Sequence, residues 1–202
     1  VTLPERLQGH RPADAEEEAD LARILAFAAR HRDPLDRRLS EGHVTGSALV
    51  VSADGLSVLL VHHGRLARWL QPGGHAEAGD ASPEAVALRE ASEETGLGDL
   101  VLHPTAPRPL DVDVHEVPAH GLEPAHDHHD LRFLVVAGPS GELRHRPEES
   151  HDARWFAWPE LAELDLDHGL RRALEKARRL LMAGGAWDVG GAQGALDVRV
   201  PR

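Results

Sequence analysis

The stretch REASEETG, residues 89–96, sets Glu90, Glu93 and Glu94 within five consecutive positions of a chain whose formal net charge is already −12. The residues around it specify a helix. Ser82 is a favoured N-cap, Pro83 a favoured first helical residue, and Gly96 a natural left-handed stop. Ala87, Leu88 and Ala91 make a small apolar stripe suited to packing on a sheet. The three glutamates make a separate stripe about 100° wide, given 3.6 residues per turn. Like charges three and four residues apart destabilise a helix slightly. Such a run needs either water or a counter-charge. Water gives a solvated acidic face, with an Arg89–Glu93 pair worth a few tenths of a kcal/mol. A counter-charge would be a hard divalent cation, since Mg²⁺ shares one or two carboxylates with substrate phosphates. Gly73 and Gly74, just upstream, let backbone approach a ligand closely and leave carbonyls open to a cation.

The rest of the chain reads as strands and helices in alternation. Asp14 caps a helix with Glu16, Glu17 and Glu18 in its first turn, and Leu21, Ile24, Leu25 and Ala28 recur at helical spacing until Pro34. That stripe must dock on the domain or on a second copy, so a homodimer is one expectation. HVTGSALVVSADGLSVLLVHH (43–63) reads as two strands around a Ser52–Gly55 turn. RWLQPGGHAEAGDA (68–81) reads as loop from its Pro and Gly content. LDVDVHEV (110–117), LRFLVVA (131–137) and ARWFAW (153–158) read as strands, and Leu170, Leu174, Ala177 and Leu181 mark a last helix. The expected organisation is a helical extension over 1–40, an α/β sandwich with a mixed central sheet over 41–183, and a Gly-rich tail over 184–202.

Composition narrows the function. There is no Cys, which excludes disulfides, thiolate zinc sites and a cysteine nucleophile. The acidic balance argues against nucleic-acid polymers, which are bound through Lys and Arg. No run approaches the roughly 18–20 apolar residues of a spanning helix. VTLPERLQGH (1–10) carries no secretion-signal pattern, so a cytoplasmic protein without membrane contact is expected.

GGHAEAGDASPEAVALREASEETGL (73–97) closely resembles the Nudix box, G-x5-E-x7-R-E-U-x-E-E-x-G-U, where U is bulky and apolar. Gly74, Arg89, Glu90, Glu93, Glu94, Gly96 and Leu97 match it. WLQPGGH upstream and RWFAWPEL downstream resemble the family's flanks. Two positions depart: Asp80 stands for the first Glu with eight residues before Arg89 rather than seven, and Ala91 holds the bulky position. The resemblance implies a helix–sheet–helix sandwich and Mg²⁺-dependent hydrolysis of a nucleoside diphosphate linked to another moiety, with Mn²⁺ as a substitute ion. By position it implies Glu90 and Glu94 as metal ligands, Glu93 as a ligand directly or through water, and the Gly73 carbonyl completing the set. It implies that Arg89 orients the glutamates. The general base is expected at Glu149, with Glu148, Glu142 and Glu93 as further candidates. A non-catalytic nucleotide sensor is the alternative. Isopentenyl diphosphate isomerase, a related fold, depends on a cysteine this chain lacks. The substrate stays open: the chain has no Tyr, no S-Q-P-W-P type run, and Val112 where ADP-ribose hydrolases carry Pro.

PAHDHHDLRF (124–133) has three readings: polar filler in a loop, a substrate pocket, or a second metal site. If a strand starts near His126, then His126, His128, Asp130 and Arg132 share one face. On the pocket reading His128 lines the site and Arg132 meets a phosphate. Arg68 and His75, beside the Gly-Gly loop, are further substrate-binding candidates, while Trp69 reads as a core residue.

Overall fold

A computed structural model describes residues 1–119, 121, 124–139, 142–148 and 150–184. The expectations for Glu149 and for the tail beyond Gly184 lie outside the described residues. Two parallel strands form the spine. β1 (Gly42–Val51) and β7 (His126–Ala137) pair over ten consecutive positions, from Gly42 opposite Asp127 to Val51 opposite Val136. Their C-terminal halves are continuous apolar runs, as expected of strands covered on both faces. β1 also pairs antiparallel with β2 (Ser57–His63) and β4 (Gly73–His75), and β7 with β6 (Asp111–Val117) and β5 (Leu100–Leu102). β3 (Arg68–Leu70) and β8 (Ser150–Ala157) flank β2, completing a mixed eight-stranded sheet.

Alternation along the spine divides the core in two. Val44, Ala48 and Val50 of β1 with Leu131, Phe133 and Val135 of β7 face α1 (Leu3–Leu7), α2 (Ala15–Arg30) and α3 (Pro83–Thr95). Leu49 and Val51 with Leu134 and Val136 face a 3₁₀ turn (Trp158–Glu163) and α4 (His168–Gly184). This is the α/β sandwich with a mixed central sheet that the sequence implied.

Three local readings are revised. Residues 68–81 are not all loop: β3 and β4 lie within them, because pairing with β2 and β1 overrides the Pro and Gly content. Neither α1 nor β5 carries enough residues to show a periodicity. The apolar stripe of α2 is covered by the chain's own sheet: Ile24 and Phe27 are fully buried and Leu21, Leu25 and Ala28 pack around them.

A charged layer fastens the extension to the sheet. Glu17 of α2 is fully buried and accepts from Ala13 N (2.6 Å), His10 Nε2 (2.7 Å) and Lys176 Nζ of α4. Arg172 of α4 donates to Asp111 of β6 at 2.9 and 3.1 Å. Burial would raise the Glu17 pKa, but the bonds from His10, Lys176 and Ala13 prevail and hold it down at about 2.

Helix α3 lies unusually close to β1. A Cβ on Gly46 would sit 2.2 Å from the Pro83 carbonyl oxygen and 3.0 Å from Ala87 N. The fully buried Ala87, whose backbone N is among the nearest atoms, is small enough to allow this approach.

Gly46→Ala should cost about 1–3 kcal/mol by overpacking against rigid backbone, lowering Tm by at least about 2 °C. An unchanged melting curve would remove the close approach from the account. Glu17 has a folded pKa below its unfolded value of 4.5, so its contribution is complete above about pH 4.5 and disappears as pH falls towards about 2. Tm measured from pH 6 to pH 2 should therefore drop less steeply in Glu17→Gln than in the wild type.

Candidate active site

The acidic helix is built as its sequence indicates. The Ser82 hydroxyl accepts from Ala85 N, Pro83 opens α3, and Gly96 closes it at φ 73°. The buried stripe turns Ala87 and Ala91 onto β1, which leaves Glu90, Glu93 and Glu94 along the border between α3 and β4.

Arg89 organises this border. Its Nη2 donates to the His75 carbonyl (2.7 Å) and to Glu90 Oε1 (3.0 Å), and its Nη1 to Glu93 Oε2 (3.1 Å). Its Nε reaches Asp80 Oδ2 at 3.1 Å. The extra residue ahead of Arg89 thus does not keep the shorter acid away. The turn before it holds Gly79 at φ 115°, and Asp80 also accepts from Glu77 N at 2.9 Å. Burial would lower the Arg89 pKa, yet Asp80 and Glu90 raise it above the ordinary arginine value. Arg89 is a permanent cation tying one strand carbonyl to three carboxylates.

Glu94 is 9% exposed and accepts from Gly73 N at 3.1 Å, so the Gly-Gly strand and the helix meet through it. A Cβ on Gly74 would stand 2.5 Å from Glu90 Oε1, which makes Gly74 the cradle of that carboxylate. Glu93 is the most open of the three, 32% exposed, with Arg146 Nη2 3.3 Å away. Among the described residues, three carboxylates gather around Arg89, with Glu94 held by Gly73 N and Arg146 beside Glu93. Oxygen donors in net negative surroundings fit a hard divalent cation, and the backbone of Gly73 is beside them.

Arg68 and Arg132 make ion pairs of their own. Arg68 is exposed on β3, with Asp165 3.5 Å away. Trp69 packs edge-on to Phe156 at the second core, as a core residue. Arg132, expected to meet a phosphate, is 3% exposed and ion-paired with Asp111 (3.2 Å), Asp113 (3.1 Å) and Asp130 (3.2 Å). Its charge is used in holding β6 to β7 rather than presented to a pocket. Glu142 is exposed and paired with Arg144, and Glu148 is exposed.

The histidine-rich segment is strand, not loop filler. β7 starts at His126 and sends His126, His128, Asp130 and Arg132 to one face, as the alternation implied. His129 goes to the other face and stacks on Phe27, ring centroids 4.2 Å apart. His75 Nε2 lies 3.1 Å from His128 Nε2. Sequence reasoning missed His43, opposite His128 in the parallel register and 2% exposed. Burial, then the neighbouring imidazoles, lowers the pKa to about 4 for His43 and about 2 for His128. A lone histidine at a strand start carries no signal until its neighbours across the sheet are known.

A family model described as NUDIX domain matches residues 42–177. No curated protein matches the chain. Among solved structures, it is similar to a binary complex of Ap4A hydrolase from C. elegans, at 17% identity and TM-score 0.54 over 70% of this chain and 98% of that one. It is similar to a NUDIX family hydrolase from Clostridium perfringens, at 26% identity and TM-score 0.50 over 69% and 98%. It is also similar to the NUDIX domain of Shewanella oneidensis NrtR complexed with ADP ribose, at 17% and 0.51 over 90% and 100%. The two likenesses at 17% speak to the fold alone.

A side chain at Gly74 should push the mobile end of Glu90 aside without disturbing backbone. Gly74→Ala is expected to keep Tm within about 2 °C while weakening divalent-ion affinity about tenfold, the size of effect seen when residues supporting a ligand are changed. Equal ion affinity in both proteins, by calorimetric titration, would take Glu90 out of the ligand set.

Proposed function

The chain belongs to the Nudix family, and on that premise we propose that it hydrolyses the pyrophosphate bond of a nucleoside diphosphate linked to a second moiety, using Mg²⁺ or, in its place, Mn²⁺. Family membership supports the general activity, cleavage of a phosphoric anhydride. The observation that carries the rest is the corner where Glu90, Glu93 and Glu94 converge on β4, with Arg89 and Gly73 N–H fixing their orientation.

In this reading Glu90 and Glu94 hold the ion, with Glu93 and the Gly73 carbonyl beside them. The ion, when bound, would supply charge neutralisation for the diphosphate and activation of the attacking water. Arg89 acts through the carboxylates: by binding Asp80, Glu90 and Glu93 together it fixes their spacing before substrate arrives. That order matters because a group already in position needs no reorganisation as charge develops. Glu93, being the most exposed of the three, is assigned the proton from water, with Glu149 the other candidate. A chain of net charge −12 accepts a polyanion only where cations screen the approach, so the ion requirement and the acidic composition belong together.

The second reading is a nucleotide sensor without turnover. The complete set of glutamates weighs against it, since a binding module has no need of them all.

A panel of dinucleoside polyphosphates, ADP-ribose, sugar nucleotides and oxidised dNTPs in Mg²⁺, scored by product released, distinguishes the two. Turnover on at least one class is expected, with Glu94→Gln slower by at least about 10²-fold. Tight binding with no product in the wild type would favour the sensor. Undiminished turnover in Glu94→Gln would remove that residue from the mechanism.

A further inference from the structure

We propose that His43, His75 and His128 form a binding site for a first-row transition-metal ion of borderline softness, such as Zn²⁺, separate from the carboxylate corner. One ring nitrogen from each of the three lies within 4.8 Å of the others. They come from three strands. His43 and His128 are opposite one another in the β1–β7 register, and His75 enters from β4, whose pairing sets it against Thr45 two residues along β1. Ring centroids are 4.9 Å apart for His43–His75, 4.9 Å for His43–His128 and 4.8 Å for His75–His128.

The spacing suits an ion. Two imidazole nitrogens at about 2.05 Å from a tetrahedral zinc stand about 3.3 Å apart. His75 Nε2 and His128 Nε2 are 3.1 Å apart. A hydrogen bond between those two explains that pair alone. It does nothing for His43, which is 2% exposed with neither ring nitrogen hydrogen-bonded among the described residues. Buried polar atoms in proteins are almost always partnered, so a ring buried this way and facing two others points to a ligand that all three would share.

The surroundings supply what such a site requires. Burial and the neighbouring imidazoles disfavour the charged form of His43 and His128, which leaves their ring nitrogens open to a metal, and there is no thiolate in the chain. Neutral imidazoles without sulfur select zinc, copper(II), nickel(II) or iron(II) over Mg²⁺, which prefers oxygen. Next to them His126 donates from Nδ1 to the Pro124 carbonyl at 2.9 Å, fixing Nε2 as the lone-pair nitrogen; that Nε2 is buried and has no partner among the described residues. This carbonyl bond is the arrangement that orients metal-bound histidines, and His126 stands next to the three, 5.0 Å from His43 by ring centroid. A cavity of about 340 Å³ opens onto the cluster, lined by His43, His75 and His126 with Arg37 and Arg38 also on its wall.

The two sites are back to back. Along β4, Gly74 faces Glu90 while His75 faces the histidines, yet the His75 carbonyl accepts from Arg89. An ion on His75 would stiffen the strand that the carboxylate corner leans on.

Metal-stripped full-length protein is titrated with Zn²⁺ by calorimetry, alongside His75→Gln, His128→Gln and a Glu90→Gln/Glu94→Gln double variant. One tightly bound zinc per chain, apart from any weaker uptake at the carboxylate corner, is expected in the wild type and is kept in the double variant, with its affinity lower by at least about 10²-fold in each histidine variant. Loss in the double variant instead would put the zinc on the carboxylates and overturn the proposal, as would equal affinity in the histidine variants or no uptake by the wild type. Melting curves without metal check that each variant folds. Should a histidine variant fail that check, the visible spectrum of Co²⁺-loaded wild type decides. Intense tetrahedral bands support nitrogen ligation, and weak octahedral ones refute it.

Discussion

Parallel pairing of β1 with β7 is the constraint from which the rest of the molecule follows. Strands joined in this way must be covered on both faces, and the continuous apolar residues of their C-terminal halves meet that demand with helices above and below. The N-terminal halves are different. There the same two strands carry His43, Thr45 and Ser47 against His128, Asp130 and Arg132, so polar and ionisable side chains, buried except for the half-buried His128, are held by the register that the apolar halves enforce. A shift of one residue would move every one of these groups to the opposite face.

Three solutions to buried charge therefore stand side by side. In the first, Arg132 is ion-paired with Asp111, Asp113 and Asp130, while Asp130 also accepts from Thr45 and Ser47 at 3.0 and 2.8 Å. Burial pulls the Arg132 pKa down, and the surrounding aspartates more than reverse it, leaving the pKa raised. Such a network need not add much net stability, but removing one member leaves a buried charge without its counterpart. In the second, at the carboxylate corner, the acids gather around one guanidinium at a partly open border, an arrangement that accommodates a cation. In the third, burial lowers the pKa of His43 and His128, so their rings avoid the cost of a buried charge and keep the form a metal could use.

Strand β4 connects these regions. Three residues long, it gives its Gly73 N–H to Glu94, its Gly74 cradle to Glu90, and its His75 carbonyl to Arg89. Its glycines serve the corner by what they lack: a side chain at 74 would occupy the space of a carboxylate. The positions of helix and strand are then mutually fixed, which is the preorganisation that phosphate chemistry draws on.

Taken by itself, the sequence determined the acidic helix, its caps at Ser82 and Gly96, the stripe that separates Ala87 and Ala91 from the glutamates, the family resemblance and the sandwich class. All of these are written within a few turns or in a contiguous motif, where spacing alone dictates which side chains adjoin. Only tertiary structure decided that Pro- and Gly-rich residues 72–75 include a strand, that Asp80 still reaches Arg89, that Arg132 is buried among aspartates, and that His43 meets His75 and His128. Each of those outcomes depends on the register between strands far apart in the chain, and register is set by the summed burial of both faces rather than by any local pattern.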